Sequence, residues 1–417
     1  MKNWHKKSLL GAVALLSVGI LSACSGSNSG SEGNSSSDET VSFWFMGDGD
    51  EQIKPLLDEF TKQSGIEVEV QSIPWSSAHD KLLTAVASGK GPDVVQMGTT
   101  WMPEFVDAGA LRDISDEVAS NDTLKPENFF DGAVATTEFD EATYAVPWYT
   151  ETRALYYRTD LLKEVGYDQA PKTWEELEDA AMKLAKRGDD MYGFTVDVAD
   201  QSFAFTFARQ NGSELFDKNG SPVFDEKPFV ESVDYLNNLI QKGASPAQDL
   251  GLDISQSFGG TGIVPMFISG PWMINAITEN APDIEGEWAT AVLPAGKENN
   301  LSNTGGANLA VFDGTENDEN ALALIEFLST PENQLAFFEA SNSLPAATKA
   351  WENEALSTEE IATFGEQLES SEHMPLILEW ERIAAEFKQA FEEISIGDAD
   401  IQEKMDQFNE KAKSILK

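Results

Sequence analysis

Cysteine and histidine are nearly absent from this chain. Its 417 residues include one cysteine, Cys24, and three histidines, His5, His79 and His373. A single cysteine excludes an intramolecular disulfide and a Cys-x-x-Cys metal site. The chain also lacks the His-Glu-x-x-His, Gly-x-Ser-x-Gly and Gly-Lys-Ser/Thr motifs of zinc proteases, serine hydrolases and nucleotide-binding loops. We therefore expect no metal site and no cofactor.

Basic residues are also scarce. The chain has 28 Lys and Arg against 72 Asp and Glu, a net charge of −44. Such a charge repels nucleic acid and anionic lipid headgroups, so we expect no nucleic-acid partner. The acidic residues are spread along the whole chain, which indicates a solvated acidic surface rather than an interaction tail.

Long apolar runs are missing except at the N-terminus, where Leu9–Leu21 follows Lys2, Lys6 and Lys7. This run is too short to span a bilayer, and its order of basic, apolar and small residues predicts an export signal. The segment Leu21-Ser22-Ala23-Cys24 resembles the lipobox of bacterial lipoproteins. The resemblance implies a signal peptide of residues 1–23 and lipid, palmitate included, on Cys24. An ordinary signal peptide with an incidental cysteine is the alternative.

Residues 24–40 are rich in Gly, Ser, Asn and acidic residues and are predicted to form a flexible tether. Beyond them, three short apolar stretches predict strands: Val41–Met46, residues 66–70 and Asp93–Met97. Between these stretches, residues 53–60 and 82–86 carry apolar side chains at helical spacing, and Gly65 should end the first helix. Alternating strands and helices predict a mostly parallel sheet covered by helices.

Two later helices are predicted from residues that are typical of helix N-termini. Thr173 followed by Glu176 is typical of a capping box, and Thr330-Pro331 is typical of a cap followed by proline at the first helical position. Residues 375–416 have helical periodicity nearly throughout.

Four segments resemble the extracellular solute-binding proteins of carbohydrate ABC transporters, the maltose-binding class. They are Ser88–Val95 (SGKGPDVV) continuing to Leu111, Tyr144–Leu162 (YAVPWYTETRALYYRTDLL), Met266–Trp272 (MFISGPW), and Gly305–Phe312 (GGANLAVF) with Ser343–Ala346. The resemblance implies an α/β fold of the periplasmic-binding-protein-like type II class, with two lobes, a hinge and an interlobe ligand cleft. It places lobe 1 at 41–148 with 304–345, and lobe 2 at 149–303 with 346–417.

A sugar site needs hydrogen-bonding groups beside aromatic rings, because sugars carry both hydroxyls and apolar C–H faces. That chemistry and the resemblance together give the candidate ligand residues Trp44, Asp48, Thr99, Thr100, Trp101, Tyr149, Glu151, Arg153, Trp272, Gly305, Gly306, Asn308 and Trp380. Residues 210–212 are a further polar candidate. Trp44 and Trp380 could instead belong to the core, and Arg153 could brace Glu151 instead of contacting ligand.

The sequence therefore predicts a lipid-anchored, monomeric receptor on the extracellular face of the membrane. It would bind a carbohydrate, with an oligosaccharide favoured over a monosaccharide, and deliver it to the permease of an ABC importer. Two alternatives stay open. One is a receptor for a peptide or another small polar solute, and the other is a secreted glycoside-processing enzyme.

Overall fold

The computed structural model describes residues 40–47, 49–198, 200, 202–397 and 399–417. Two predicted features lie outside these residues: the export signal and tether with Cys24, and the candidate ligand residue Asp48. Within the described ranges, no helix is both long enough and apolar enough to cross a bilayer.

The strands are β1 (Thr40–Met46), β2 (Glu67–Ile73), β3 (Val94–Gly98), β4 (Glu138–Phe139), β5 (Ala142–Thr143), β6 (Val146–Glu151), β7 (Ala154–Arg158), β8 (Met266–Ser269), β9 (Trp288–Ala291), β10 (Ser302–Val311), β11 (Leu344–Pro345) and β12 (Ser371–His373). The α-helices are α1 (Lys54–Ser64), α2 (Trp75–Ser88), α3 (Met102–Asp107), α4 (Ser115–Ser120), α5 (Asp131–Val134), α6 (Thr159–Glu164), α7 (Trp174–Leu184), α8 (Phe203–Gln210), α9 (Lys227–Gln241), α10 (Ile254–Ser257), α11 (Met273–Asn280), α12 (Asp318–Ser329), α13 (Pro331–Ser341), α14 (Glu359–Leu368), α15 (Trp380–Ser395) and α16 (Ile401–Ile415).

Most of the predicted helix signals act as expected. Gly65 ends α1 with φ of 81°, a left-handed conformation in which glycine has no Cβ to clash. The Thr173 and Thr330 hydroxyls accept the amides of Glu176 and Asn333 at 3.3 and 3.2 Å. The capping box at α7 is only half formed, because the Glu176 carboxylate accepts the Lys172 amide instead of that of Thr173.

The first lobe contains the larger sheet, with strand order β11-β6-β10-β3-β1-β2. β1 pairs in parallel with β2 and with β3, as the sequence predicts. β10 is antiparallel to β3 and to β6, and β11 is antiparallel to β6. The prediction of a mostly parallel sheet is therefore wrong for the half of the sheet nearest the hinge, because β10 enters it from the other lobe in the reverse direction.

The second lobe has a small antiparallel sheet, β8-β7-β9, and a helical core. That core is rich in phenylalanine from α8, α9, α15 and α16, including Phe205, Phe229, Phe387 and Phe408. In the first lobe, one sheet face packs Phe43 and Phe45 against α1, α12 and α13, while the other packs Met97 against α2 and α3.

Three segments connect the two lobes. β6 continues into β7 through Thr152 and Arg153, residues 292–301 connect β9 to β10, and the chain after β11 returns to the second lobe. The crossovers are bonded to one another: Thr152 Oγ1 donates to the Asn303 carbonyl at 3.0 Å, and the Arg153 amide donates to Ser302 Oγ at 3.1 Å. β12 also pairs with the first residues of β10. The predicted lobe boundaries stay a prediction. Phe338 and Leu344, which the prediction assigns to the first lobe, belong to the same apolar cluster as Tyr156 of the second lobe.

Candidate functional site

Arg153 lies between two carboxylates where β6 crosses to β7. Its Nη1 donates to Glu151 Oε1 at 3.2 Å, and its Nε donates to Asp200 Oδ2 at 3.3 Å. Glu151 ends β6 and Arg153 follows two residues later, so the alternation along an extended chain brings both side chains to one face. A guanidinium suits this position because it stays charged and donates in several fixed directions. Arg153 therefore braces Glu151 and holds a second carboxylate as well.

Sequence reasoning missed Asp200. This carboxylate accepts the amide and the hydroxyl of Ser202 at 2.8 and 2.6 Å, in a turn that leads into α8. The one local signal is Asp-x-Ser ahead of an apolar helical stretch, which is typical of a helix start. Nothing near Asp200 in the sequence indicates that its partner is Arg153, 47 residues earlier.

The pKa values of the two carboxylates are shifted in opposite directions. Burial raises the pKa of Glu151, and the charge of Asp200 adds to this, although Arg153 acts in the other direction. Burial also disfavours the charged form of Asp200, but Arg153 and the two Ser202 bonds outweigh it and lower the pKa of Asp200. As a carboxylate, Glu151 can accept more hydrogen bonds than the one that Arg153 donates to it. Its side chain is 17% exposed and that of Arg153 16%, so a ligand can reach both.

Trp272 provides an aromatic face beside these charges. The Arg153 guanidinium lies 4.8 Å from the centre of its ring, within the range of a cation–π contact. A Cβ on Gly270 would lie 1.9 Å from the same ring, so the turn requires glycine there. The Tyr156 hydroxyl donates to the Gly270 carbonyl at 2.7 Å and fixes that turn.

Tyr149 and two glycines form the first-lobe side of the crossover. The Tyr149 hydroxyl accepts a hydrogen bond from Gln96 Nε2 at 3.0 Å. Burial raises the pKa of Tyr149 well above its ordinary value, so the phenol stays protonated. Gly305 and Gly306 of β10 lie opposite Glu151 and Thr150 of β6. Gly306 has φ of +126°, and a Cβ there would lie 2.2 Å from the Tyr149 carbonyl oxygen. The β10 backbone at Gly305 and Gly306 carries no side chains and therefore passes close to the Glu151 carboxylate.

The lobes also contact each other away from the crossover. Thr100 follows β3 in a 3₁₀ turn, and its hydroxyl donates to Glu381 Oε1 at 2.7 Å. Glu381 belongs to α15 of the second lobe and was not predicted as a site residue. Burial raises its pKa, with Glu104 adding to the effect while the Thr100 bond and His79 oppose it.

We expect acidification to favour the folded protein through Glu381. Its pKa is raised in the folded structure, chiefly by burial, so its contribution to stability is fully present below about 4.5 and lost as pH rises through the raised value. Urea denaturation followed over the acid range would measure this contribution as a pH-dependent free energy of unfolding. Glu381→Gln keeps an acceptor for Thr100 without the charge, and should remove this part of the pH dependence. An unchanged pH profile in the variant would contradict the assignment to Glu381.

The other predicted residues of the first lobe lie around the same turn or under α2. Thr99 and Trp101 are 7% and 8% exposed. The Trp101 ring is covered by Trp75, whose ring centre is 5.2 Å away. Trp44 is half-buried on the sheet face beneath α2, and Lys81 Nζ lies 4.4 Å from its ring centre. Neither tryptophan belongs to the cluster around Arg153.

Three predicted polar or aromatic candidates are interior residues. Trp380 is 2% exposed and packs 4.8 Å from Phe205, which gives it the core role that the sequence left open. Asn308 is 1% exposed, and its amide donates to Thr136 Oγ1 at 3.0 Å. Gln210 is 1% exposed and accepts from the Trp174 indole at 2.8 Å. These side chains stabilise the lobes and offer a ligand almost no surface.

Comparison with known proteins agrees with this architecture. Residues 46–335 match the family described as bacterial extracellular solute-binding protein. The galactooligosaccharide-binding protein of Bacillus subtilis is 27% identical over 433 residues, covering 100% of this chain and 99% of that protein. The maltooligosaccharide ABC transporter solute-binding lipoprotein of Streptococcus pneumoniae is 26% identical over 384 residues, 87% of this chain and 86% of that one.

The chain is also similar in three-dimensional structure to a solved protein. The sugar-binding protein MalE of Xanthomonas citri matches with a TM-score of 0.79 and 33% identity, covering 90% of this chain and 97% of that one. With a family match over most of its length, two α/β lobes and crossovers between them, this chain belongs to the bacterial extracellular solute-binding proteins and has their type II fold.

Proposed function

We propose that this chain is the receptor of an ABC importer and binds a sugar between its lobes at the β6–β7 crossover. The observation that carries the proposal is the carboxylate of Glu151, braced by Arg153 and placed beside the Trp272 ring. Carboxylate oxygens accept sugar hydroxyls, and an indole ring packs against the apolar C–H face of a pyranose. The acidic surface suits an uncharged ligand better than an anion.

Binding and release would depend on movement about the crossovers. A ligand that contacts Glu151 at the crossover and Trp272 of the second lobe binds better when the lobes are together, and this difference in affinity shifts the population toward the closed form. The Thr100–Glu381 bond adds a contact between the lobes that exists only when they meet. The closed form would then deliver the sugar to the permease as a monomer.

The similar proteins support a sugar over another solute. The Bacillus subtilis relative is named for galactooligosaccharide, the Streptococcus pneumoniae relative for maltooligosaccharide, and the Xanthomonas citri structure is that of a sugar-binding protein. Since these are binding proteins, we propose binding without hydrolysis.

A thermal-shift screen tests this function. The protein without residues 1–23 would be heated with monosaccharides, with malto-, galacto- and arabino-oligosaccharides, and with peptides. A ligand that binds only the native state raises the melting temperature, and the stabilisation grows with the logarithm of the ligand concentration once this exceeds Kd. We expect at least one sugar series to raise it and peptides to have no effect. A shift with peptides alone would favour the solute-receptor alternative, and sugar cleavage in the recovered sample would favour the enzyme.

We also propose that lipid on Cys24 anchors the protein to the outer face of the membrane. Cys24 is the sole cysteine, and it follows a lipobox-like sequence. One relative, that of Streptococcus pneumoniae, is named a lipoprotein.

Cys24→Ser is expected to release the protein from the membrane, because serine offers no thiol for the lipid. Membrane fractionation of cells expressing each form, with mass spectrometry of the N-terminal peptide, would measure this. Sugar affinity should be the same in both forms, since Cys24 precedes the predicted lobes in the sequence. Continued membrane association of the variant, with lipid still attached, would overturn the proposed anchor.

A further inference from the structure

The charged side chains at the β6–β7 crossover do not balance one another. Glu151 and Asp200 each carry a negative charge when ionised, and Arg153, which lies between them, carries one positive charge. The cluster of these three side chains is therefore left with one uncompensated negative charge. All three are mostly buried, where water solvates a charge poorly, so the imbalance costs free energy.

The groups around the cluster do not supply the missing positive charge. Tyr149 lies beside Glu151, and its phenol stays neutral because burial raises its pKa well above the ordinary value. The two glycines of β10 that lie opposite have no side chains, and Trp272 adds a neutral ring. Lys388 of α15 lines a small cavity beside Asp200, but it forms no ion pair in the part of the chain that the structure describes.

Glu151 has an oxygen available to a ligand. Arg153 donates to its Oε1 at 3.2 Å, while Oε2 accepts no hydrogen bond from any described residue. Burial and the charge of Asp200 both raise the pKa of Glu151, which means that a further positive charge nearby would stabilise the ionised carboxylate. The net charge of −44 on the whole chain also raises the concentration of cationic ligands near its surface.

We propose that the sugar bound at the crossover carries a protonated amine. The inference rests on the proposed function and adds to it the substrate class, an amino sugar or an oligosaccharide that contains one. The ammonium group donates to Glu151 Oε2 and brings the net charge of the cluster to zero. A neutral sugar donates a hydroxyl to the same oxygen but leaves the negative charge uncompensated.

Pairs of sugars that differ only in an amine test this preference. Kd would be measured by calorimetry for glucose and glucosamine, galactose and galactosamine, cellobiose and the β-1,4-linked glucosamine disaccharide, and the tightest-binding neutral sugar of the thermal-shift panel with its 2-amino-2-deoxy derivative. At about pH 6.5, where the amine is protonated, at least one amino sugar should bind about tenfold more tightly than its neutral partner. The N-acetylated form of the same sugar, a neutral amide, should lack this advantage.

The advantage should disappear at high pH. The amine of a 2-amino sugar resembles an α-amino group with a pKa of about 8, so it is mostly neutral at about pH 9.5. Arg153 keeps its charge over this interval, and the raised pKa of Tyr149 keeps its phenol neutral. Glu151 can only become more ionised as pH rises, which would strengthen the attraction for a cation. A loss of the advantage must therefore come from the ligand.

Two variants locate the charge that is responsible. Asp200→Asn removes one negative charge from the cluster and should bring the ratio of the neutral to the amino Kd toward one, even where both sugars bind less tightly. Glu287→Gln removes the same charge beside Arg158, away from the crossover, and should leave the ratio as in the wild type. The pH dependence of the wild type tests the proposal without relying on either variant to fold.

The outcomes separate this inference from the proposed function. If neither neutral nor amino sugars bind, both fail. If neutral sugars bind and no amino sugar binds more tightly, or if the advantage persists at about pH 9.5, the function stands and the preference for an amine is wrong. A preference that both variants reduce equally would come from the overall charge of the chain and would also overturn the inference.

Discussion

Arg153→Met is expected to lower the free energy of unfolding by about 3 kcal/mol, the scale seen when one partner of a buried ion pair is removed. The substitution leaves Glu151 and Asp200 without their shared cation in a site where burial already disfavours both charges. Urea denaturation followed by circular dichroism would measure the loss as a lower midpoint.

Two comparisons make this prediction specific. Lys183→Met removes a cation from an exposed pair with Asp179, whose side chains are 45% and 53% exposed, and should cost less than about 0.5 kcal/mol. Combining Arg153→Met with Glu151→Gln and Asp200→Asn should recover part of the stability, because no charge is then left unpaired. If Arg153→Met costs no more than Lys183→Met, Arg153 does not hold the two carboxylates together.

Glu151→Gln should mainly reduce sugar affinity. Replacing the carboxylate removes a charge-assisted hydrogen bond to the ligand, a loss of roughly 1.5–3 kcal/mol, or about a 10- to 150-fold rise in Kd. The melting temperature without ligand should change little, since the amide oxygen still accepts from Arg153 and Asp200 stays paired. Calorimetry with the tightest-binding sugar of the panel would measure the change in Kd.

Glu287→Gln is the matched control for this substitution. It also removes a carboxylate beside an arginine, Arg158, at 3.5 Å, but at the end of the second-lobe sheet away from the crossover. Its Kd should equal that of the wild type. If Glu151→Gln also binds like the wild type, Glu151 is only a structural partner of Arg153, and the sugar contacts must be sought elsewhere.

Alternation along one extended segment explains the local part of the candidate site. Tyr149, Glu151 and Arg153 alternate along one extended segment, and the structure places Glu151 and Arg153 in direct contact. Gly305 and Gly306 of β10 were candidate ligand residues from the family resemblance, and the clash that a Cβ on Gly306 would make shows why glycine is needed there. Such features depend on residues adjacent in sequence or on the backbone itself.

The members of the site that come from distant segments were not predictable in the same way. Asp200 reaches Arg153, and Glu381 reaches Thr100, only through the packing of whole lobes. Trp380 is different, because the sequence did contain its signal. Trp380 shares the buried stripe of α15 with Ile383, Ala384 and Phe387, at helical spacing, which indicates a core position. Glu381, one residue on, is turned about 100° from that stripe.

The sheet prediction shows the same limit. The strand–helix–strand pattern of the first 60 or so residues of the lobe gave the correct parallel strands, because those neighbours are sequential. β10 joins the same sheet from residues 302–311, and its antiparallel direction follows from the crossover out of the second lobe. No local pattern in β10 specifies that direction.

The most direct test of sugar binding is calorimetric titration of the protein lacking residues 1–23 with the sugar panel. We expect saturable binding of one sugar per chain, with the sugar recovered uncleaved and the affinity reduced by Glu151→Gln but not by Glu287→Gln. Absence of heat with every sugar, or cleavage of the sugar during the titration, would contradict the claim that this chain is a sugar receptor.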